Sequence, residues 1–189
     1  MNFNLKFLIG LLFLAISCNS ASSEFDGQQA FQYLEQQCEI GTREPGSPGH
    51  RQAKNMYLNF FKQHADTVIA QEFEQEITID NVTYNLTNIV SGFNMGKTKP
   101  LIIGAHWDTR PRAEKDPDPA RRNQPILGAN DGASGVAVLM HLAELMAELE
   151  LDRTIYLVLF DGEDYGYHGD NTYFCLGSKY FVDNLPIPK

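Results

Sequence analysis

Leu101-Ile102-Ile103-Gly104-Ala105 is a short run of apolar and small residues, followed at once by His106-Trp107-Asp108. Thr154 to Phe160 (TIYLVLF) repeats the pattern and is followed by Asp161-Gly162-Glu163-Asp164. Apolar runs of this length, bounded by polar loops, predict strands buried on both faces. Between them, Ala133 to Leu149 has helical spacing: Val136, Met140, Ala143 and Met146 line one side. His141, Glu144 and Glu148 line the other and are read as surface. Strand, loop, helix, strand is the order of an α/β fold whose sheet has a parallel centre. Ligands of open α/β sheets bind beyond the carboxyl ends of the strands. His106-Trp107-Asp108, Asn130-Asp131-Gly132 and Glu163-Asp164 all fall at that edge.

Working outward, residues 107–129 form a polar segment with little periodicity, longer than the loops of compact domains unless it serves a function. Upstream, 67–79 reads as a strand, Asp80-Asn81 as a turn, and a second strand ends near Phe93. Gly41 to Gly49 (GTREPGSPG) is rich in helix breakers, and Ser47-Pro48 reads as N-cap and first helical residue. Ala53, Met56, Tyr57, Phe60 and Phe61 then share one helical stripe. Residues 24–38 predict a weaker helix with Phe31, Leu34 and Cys38 inward, and a short helix is expected around 177–184.

The first residues do not belong to this pattern. Phe7 to Ser17 (FLIGLLFLAIS) is too short to cross a bilayer but suits the apolar region of a signal peptide. Ala15-Ile16-Ser17-Cys18 resembles a bacterial lipobox, so 1–17 is read as a lipoprotein-type signal peptide, Cys18 as the lipidated residue and 18–23 as a tether. A plain signal peptide cut nearby is the alternative. Either way the protein is expected to be exported, to the periplasm or, as a lipoprotein, the outer membrane. Cys38 and Cys175 then remain, as a disulfide or as two separate thiols. Of 189 residues, 43% are hydrophobic, enough for a globular core, and 24 acids against 15 Lys and Arg leave no basic stripe for nucleic acid.

The side chains at the sheet edge are one imidazole and several carboxylates, a set that suits zinc held by nitrogen and oxygen, with one carboxylate left as general base. Singly, each has a plainer reading: Asp131 as a helix cap, Glu163-Asp164 as a solvated loop, His106 as a hydrogen-bonded strand-end residue. No G-x-S-x-G elbow, P-loop, dinucleotide fingerprint or H-E-x-x-H occurs.

Taken together, GAHWDTRP, PILGANDGASGV, LVLFDGEDYG and CLGSKYF resemble the zinc aminopeptidase-like family of peptidase clan MH, which includes glutaminyl-peptide cyclotransferases. The wording HWDTRP…DPDP…GANDGASG…FDGEDYG is similar to the exported bacterial cyclases, and GTREPGSPGH to the family's N-terminal loop, so the likeness spans nearly all of 35–185. It implies a three-layer α/β/α sandwich with a mixed, centrally parallel sheet, of which 24–189 would be the N-terminal two-thirds. It implies Zn2+ on Asp131 and Asp164, with Glu163 as the catalytic base and acid, and peptide or protein N-termini as substrate. His106 would bind a second zinc in an aminopeptidase and none in a cyclase, and Asp108 would orient His106. Trp107 and Arg112 are candidate pocket walls, Arg112 standing where the cyclases carry an aromatic residue. The family's third zinc ligand, a distant histidine, has no match; among the histidines present only His168 lies near the acids. Three readings follow: a one-zinc cyclotransferase, a two-zinc aminopeptidase of the same fold, or a truncated, non-catalytic remnant.

Overall fold

The computed structural model describes residues 24–167 and 169–188. The signal peptide, Cys18, the tether up to Ser23 and His168 lie outside the described residues. The elements in chain order are α1 (Gly27–Ile40), α2 (Pro48–His64), β1 (Thr67–Ile77), β2 (Val82–Phe93), β3 (Leu101–His106), α3 (Ser134–Glu148), β4 (Ile155–Phe160) and α4 (Leu176–Asp183). The fold is α/β, with a four-stranded mixed sheet ordered β1-β2-β4-β3.

Local signals set most boundaries. The Ser47 hydroxyl accepts the N–H of His50, and Pro48 opens α2. Asp26 caps α1 by accepting the N–H groups of Gln28 and Gln29. Asn81, in the left-handed region at φ 51°, closes the tight turn that pairs β1 with β2 from Ile77↔Val82 to Thr67↔Gly92. β2 continues antiparallel to β4, and β4 pairs parallel with β3, Ile103 opposite Leu157.

β4 shows why the sheet holds. Alternate side chains leave opposite faces of a strand, so Ile155, Leu157 and Leu159 join Tyr57, Phe61, Val136 and Met140 on the face covered by α1, α2 and α3. Tyr156, Val158 and Phe160 meet Phe181 of α4 and Ile187 on the other face. Each fully buried aliphatic side chain contributes about 1.5–3 kcal/mol.

Four expectations need correction. β4 is buried on both faces, but β3 is an edge strand among the described residues, with Leu101 and Ile102 41% and 44% exposed. An apolar run reports that a strand forms; which strands flank it depends on pairings far away in sequence. For the same reason the parallel pair lies at one side of this sheet and not at its centre. α1 buries Ala30, Tyr33 and Gln37 while Phe31 faces solvent, a rotation of the stripe caused by Gln37, which donates to the carbonyls of Tyr33 and Ala133 and accepts from the Tyr57 hydroxyl. His141 is buried: its Nε2 accepts the Asp26 N–H at 2.8 Å and its Nδ1 pairs with Glu144 at 3.0 Å. A polar residue on the outer stripe of α3 thus became an anchor for the start of α1.

The breaker-rich segment 41–47 contains a fully buried cation. The Arg43 guanidinium donates to five backbone carbonyls: Trp107 at 3.2 Å, Gln37 at 3.4 Å, Gly41 at 3.0 Å, Leu127 at 3.1 Å and Gly128 at 3.1 Å. It thereby joins the end of α1, the end of β3 and the approach to α3. Arg43→Met keeps much of the volume but leaves these carbonyls without donors, at about 1–3 kcal/mol for each buried group left unpaired. We expect urea denaturation to show a loss above about 3 kcal/mol; a loss under about 1 kcal/mol would mean that water replaces the guanidinium at little cost.

Candidate active site

Three chain segments converge beyond the carboxyl ends of β3 and β4. The first is His106-Trp107-Asp108. Its outermost member is His106, whose Nε2 lies 2.8 Å from Asp131 Oδ1. The second is the turn Ala129–Ala133 that opens α3, where Asp131 leaves helical geometry at φ −115°, ψ 97° and presents a largely exposed carboxylate. Gly132 packs so closely on His106 that a Cβ there would collide with the His106 carbonyl and ring. The third is Asp161 to Asp164, held from below by the first turn of α4. The N–H groups of Cys175, Leu176 and Gly177 donate to the carbonyls of Glu163, Gly162 and Asp161 at 2.9, 3.0 and 2.9 Å. Because Gly177 lacks a side chain, this turn can lie against Asn88 and Asp161.

Asp108 is the link between the first and third segments. It is fully buried, and its two oxygens accept the N–H groups of Glu163 at 2.9 Å and Asp164 at 3.2 Å. Its distance to His106 Nδ1 is 3.5 Å, and that nitrogen has no hydrogen-bond partner. Asp108 therefore sets the backbone of the acid pair more directly than it orients the imidazole. Adjacent acids thus project differently. Asp164 turns toward Arg110, whose NH1 is 2.6 Å from Oδ1. Glu163 turns toward His106 Nδ1, at 3.9 Å, and Cys175 Sγ, at 3.4 Å. Cys38 and Cys175 are both free thiols, which settles the pairing left open by the sequence.

Asp131 and Asp164 line a cleft of about 670 Å³ together with Arg110, Arg112, Glu114 and Phe174. Residues Arg110 to Asp116 and Ile126 form one side of it, so the long polar segment after β3 borders the site as its length suggested. Arg112 is on this wall. Trp107 is not: it has no exposed surface, its ring stacks on His50 at 4.4 Å, and its Nε1 donates to the Thr87 carbonyl. Two consecutive residues at a strand end point to opposite sides, and His106 took the outward one. His50 in turn holds Asp161, with Nε2 2.9 and 3.0 Å from the two carboxylate oxygens. His50, Asp161 and Arg43 carry the site's support; they stand inside GTREPGSPGH and FDGEDYG, but nothing in their spacing gave their burial or their partners. Arg110, within GAHWDTRP, was passed over in the same way.

The electrostatics are those of an excess of negative charge. Burial lowers the His106 pKa, but Asp108, Glu163 and Asp131 together push it up to about 9. Burial, with the charges of Asp131 and Glu163, raises Asp164 to about 6 against the opposing pull of Arg110. The His106 shift shows that the carboxylates around it favour a positive charge, whereas that of Asp164 comes first from burial.

Residues 88–189 match the sequence model of Peptidase family M28. The chain belongs to that family. Its fold and sequence are similar to a glutaminyl cyclase from Tannerella forsythia (32% identity, TM-score 0.82), covering 87% of this chain and 58% of that one. The same shares and TM-score apply to a leucine aminopeptidase precursor from Bacteroides thetaiotaomicron at 32% identity. A Zn-dependent exopeptidase from Parabacteroides distasonis matches at 29% identity and TM-score 0.82. The chain thus spans somewhat over half the length of these relatives.

Among the described residues no three His, Cys, Asp or Glu side chains are grouped to hold a metal ion. The donor chemistry nevertheless fits part of a zinc site. Asp131 and Asp164 offer oxygen ligands to one cleft, and the charge surplus just described favours a cation. In the metal-free protein we expect the imidazole resonances of His106 to titrate near pH 9. A folded pKa above the ordinary 6.5 means its stabilising contribution is complete below pH 6.5 and is lost as the pH rises through 9. A midpoint at or below 6.5 would show that the surrounding carboxylates are not placed as described.

Proposed function

We propose that this protein is a zinc-dependent glutaminyl-peptide cyclotransferase, closing the N-terminal glutamine of peptides to pyroglutamate with release of ammonia. The observation that carries this reading is the position of His106. Its Nε2, the atom that would hold a second zinc in an aminopeptidase, is engaged by Asp131 Oδ1 at 2.8 Å. A second zinc would have to displace this contact, and several of the similar solved structures, from Tannerella, Bacteroides and Porphyromonas, are glutaminyl cyclases at 31–32% identity. Residues 24–189 are read as the N-terminal part of a three-layer α/β/α domain, in keeping with the share of the relatives they cover. Phe7 to Ser17 and Cys18 support export to the periplasm or outer membrane, with a lipid anchor on Cys18.

In this reading Asp131 and Asp164 are the ligands this chain gives to zinc. Bound there, zinc would polarise the γ-carbonyl of the substrate glutamine. The α-amine attacks that carbon, forming the ring C–N bond, and the bond to the side-chain nitrogen breaks. Glu163 takes the proton released by the attacking amine and delivers one to the departing nitrogen, which leaves as ammonia. Its placement suits a carrier: the side chain is about a third exposed, and its backbone is fixed by Asp108 and by α4. Asp108 has no proton role here; it sets where the carboxylate of Glu163 can reach. The Arg110–Glu114 and Arg112 side of the cleft forms the wall along which the peptide would run.

A second reading, a two-zinc aminopeptidase, is favoured by the equal identity to the leucine aminopeptidase precursor. Metal analysis and two substrates, on a version extended to the length of these relatives, separate them. We expect one zinc per chain, ammonia from a glutaminyl peptide, no leucine from a leucyl peptide, and a loss of roughly 10²–10⁴-fold in turnover for Glu163→Gln with metal retained. Two zincs and free leucine would establish the aminopeptidase. Absence of turnover on both substrates would leave a non-catalytic remnant and refute the proposal.

A further inference from the structure

The tip of the β1–β2 hairpin is remote in sequence from the acids, and the family match begins only at Asn88. Its side chains nevertheless reach the same end of the sheet. The carboxylate of Asp80 accepts two phenols, from Tyr165 to Oδ2 at 2.8 Å and from Tyr167 to Oδ1 at 2.6 Å. Arg112 NH1 lies 3.9 Å from Oδ2. The Arg112 guanidinium is stacked over the Tyr167 ring at 3.8 Å from its centroid, and NH2 donates to the carbonyls of Tyr165 and Gly166. Thr78, at the same turn, shares a 2.6 Å hydrogen bond with the Tyr173 hydroxyl.

From Arg112 the charges continue inward with alternating sign. Glu114 Oε1 is 3.7 Å from Arg112 Nε and 2.7 Å from Arg110 NH2, and Arg110 NH1 is 2.6 Å from Asp164 Oδ1. Asp80, Arg112, Glu114, Arg110 and Asp164 form one connected series from the hairpin tip to the cleft. The segment they cross has no regular structure between β3 and α3 except one 3₁₀ turn at Pro119–Arg121 and the turn at Ala129–Ala133. Besides a few backbone bonds, such as that from the Ile126 N–H to the Arg110 carbonyl at 3.1 Å, its order rests on side-chain anchors. These are charge-assisted hydrogen bonds at the two ends of the series and ion-pair contacts at 3.7 and 3.9 Å about Arg112.

We propose that Asp80 is a positioning residue for the cleft. By holding Tyr165, Tyr167 and Arg112 together, it fixes the wall formed by Arg110 to Asp116 and, through Glu114 and Arg110, the placement of Asp164. Its relevance to zinc binding rests on the function proposed above; the placement itself does not. The chemistry requires a carboxylate, since two phenols donate to its two oxygens while a cation sits beside them. An asparagine keeps one acceptor oxygen, and in place of the other it sets an uncharged NH2 donor beside the second phenol and the Arg112 cation.

Amide hydrogen exchange on the whole protein tests this without any assumption about turnover. In Asp80→Asn we expect exchange about tenfold or more faster in peptides covering 108–116 and 164–167. Amides of β2 and β4, and the melting temperature, should stay close to wild type. Asp80→Glu, which keeps both acceptor oxygens, should restore most of the protection. Glu76→Gln, an exposed acid on the same hairpin, should change nothing in those peptides. Should Asp80→Asn prove unstable, Tyr167→Phe removes a single phenol bond and should give a smaller rise in the same two segments. Unchanged protection there in both Asp80→Asn and Tyr167→Phe would overturn the proposal. So would a rise spread evenly over β1, β2 and β4, because it would reduce Asp80 to a general stabiliser of the hairpin. Failure of the zinc or turnover measurements would not affect either outcome.

Discussion

The arrangement depends on one buried cation serving only backbone carbonyls. Arg43 has no exposed surface, and among the described residues no carboxylate lies within ion-pair distance of it. A charge in that position is tolerable only if its donors are satisfied, and the carbonyls of Gln37, Gly41, Trp107, Leu127 and Gly128 satisfy them. Three segments distant in sequence must therefore meet at one point. Asp108 is the complementary case, a buried anion that receives the N–H groups of Glu163 and Asp164. Thr109 ties the two together: its hydroxyl accepts the Arg43 N–H at 2.8 Å, and its own N–H donates to the Arg43 carbonyl. Backbone is fixed by buried charge, and from it the carboxylates of Asp131, Glu163 and Asp164 project toward His106, Cys175 and Arg110.

Those side chains create an electrostatic imbalance. His106 is raised to about 9 against the effect of its burial and Asp164 to about 6 with the help of its own, in each case toward the protonated form. Arg110 relieves part of the repulsion at Asp164, yet two of its three guanidinium nitrogens are committed to Glu114. An acid-rich cleft supported this rigidly gains from any cation that enters it. This is the physical reason that the two carboxylates of the cleft suit a cation such as the zinc on which the similar exopeptidase depends.

Much of the fold was legible because it is governed by local rules. Ser47-Pro48 marks the start of α2, Asp80-Asn81 marks the hairpin, and TIYLVLF is a strand buried on both faces. The position of the three clusters at the strand ends was legible as well, since it follows from strand–loop–helix order. The burial of β3 was not, because an apolar run carries no information on its neighbours. Trp107 and His141 were misplaced for a related reason. A ring beside a candidate ligand looks like a pocket wall, and a histidine between glutamates looks like surface, until a distant partner such as His50 or the Asp26 N–H is known. Arg43, His50, Asp161 and Asp80 belong to the same class: buried or half-buried polar groups whose partners are dozens of residues away. Periodicity cannot find them.

The central claim is that Asp131 and Asp164, carried by different elements, serve one cation in one cleft. A double-mutant cycle on zinc affinity tests it most directly, using a competing chromophoric chelator and the variants Asp131→Ala, Asp164→Ala and both together. If the two carboxylates hold the same ion, each single change should remove most of the affinity and the double change little more, a strongly non-additive result. Losses that simply add, or wild-type protein that takes up no zinc, would contradict it.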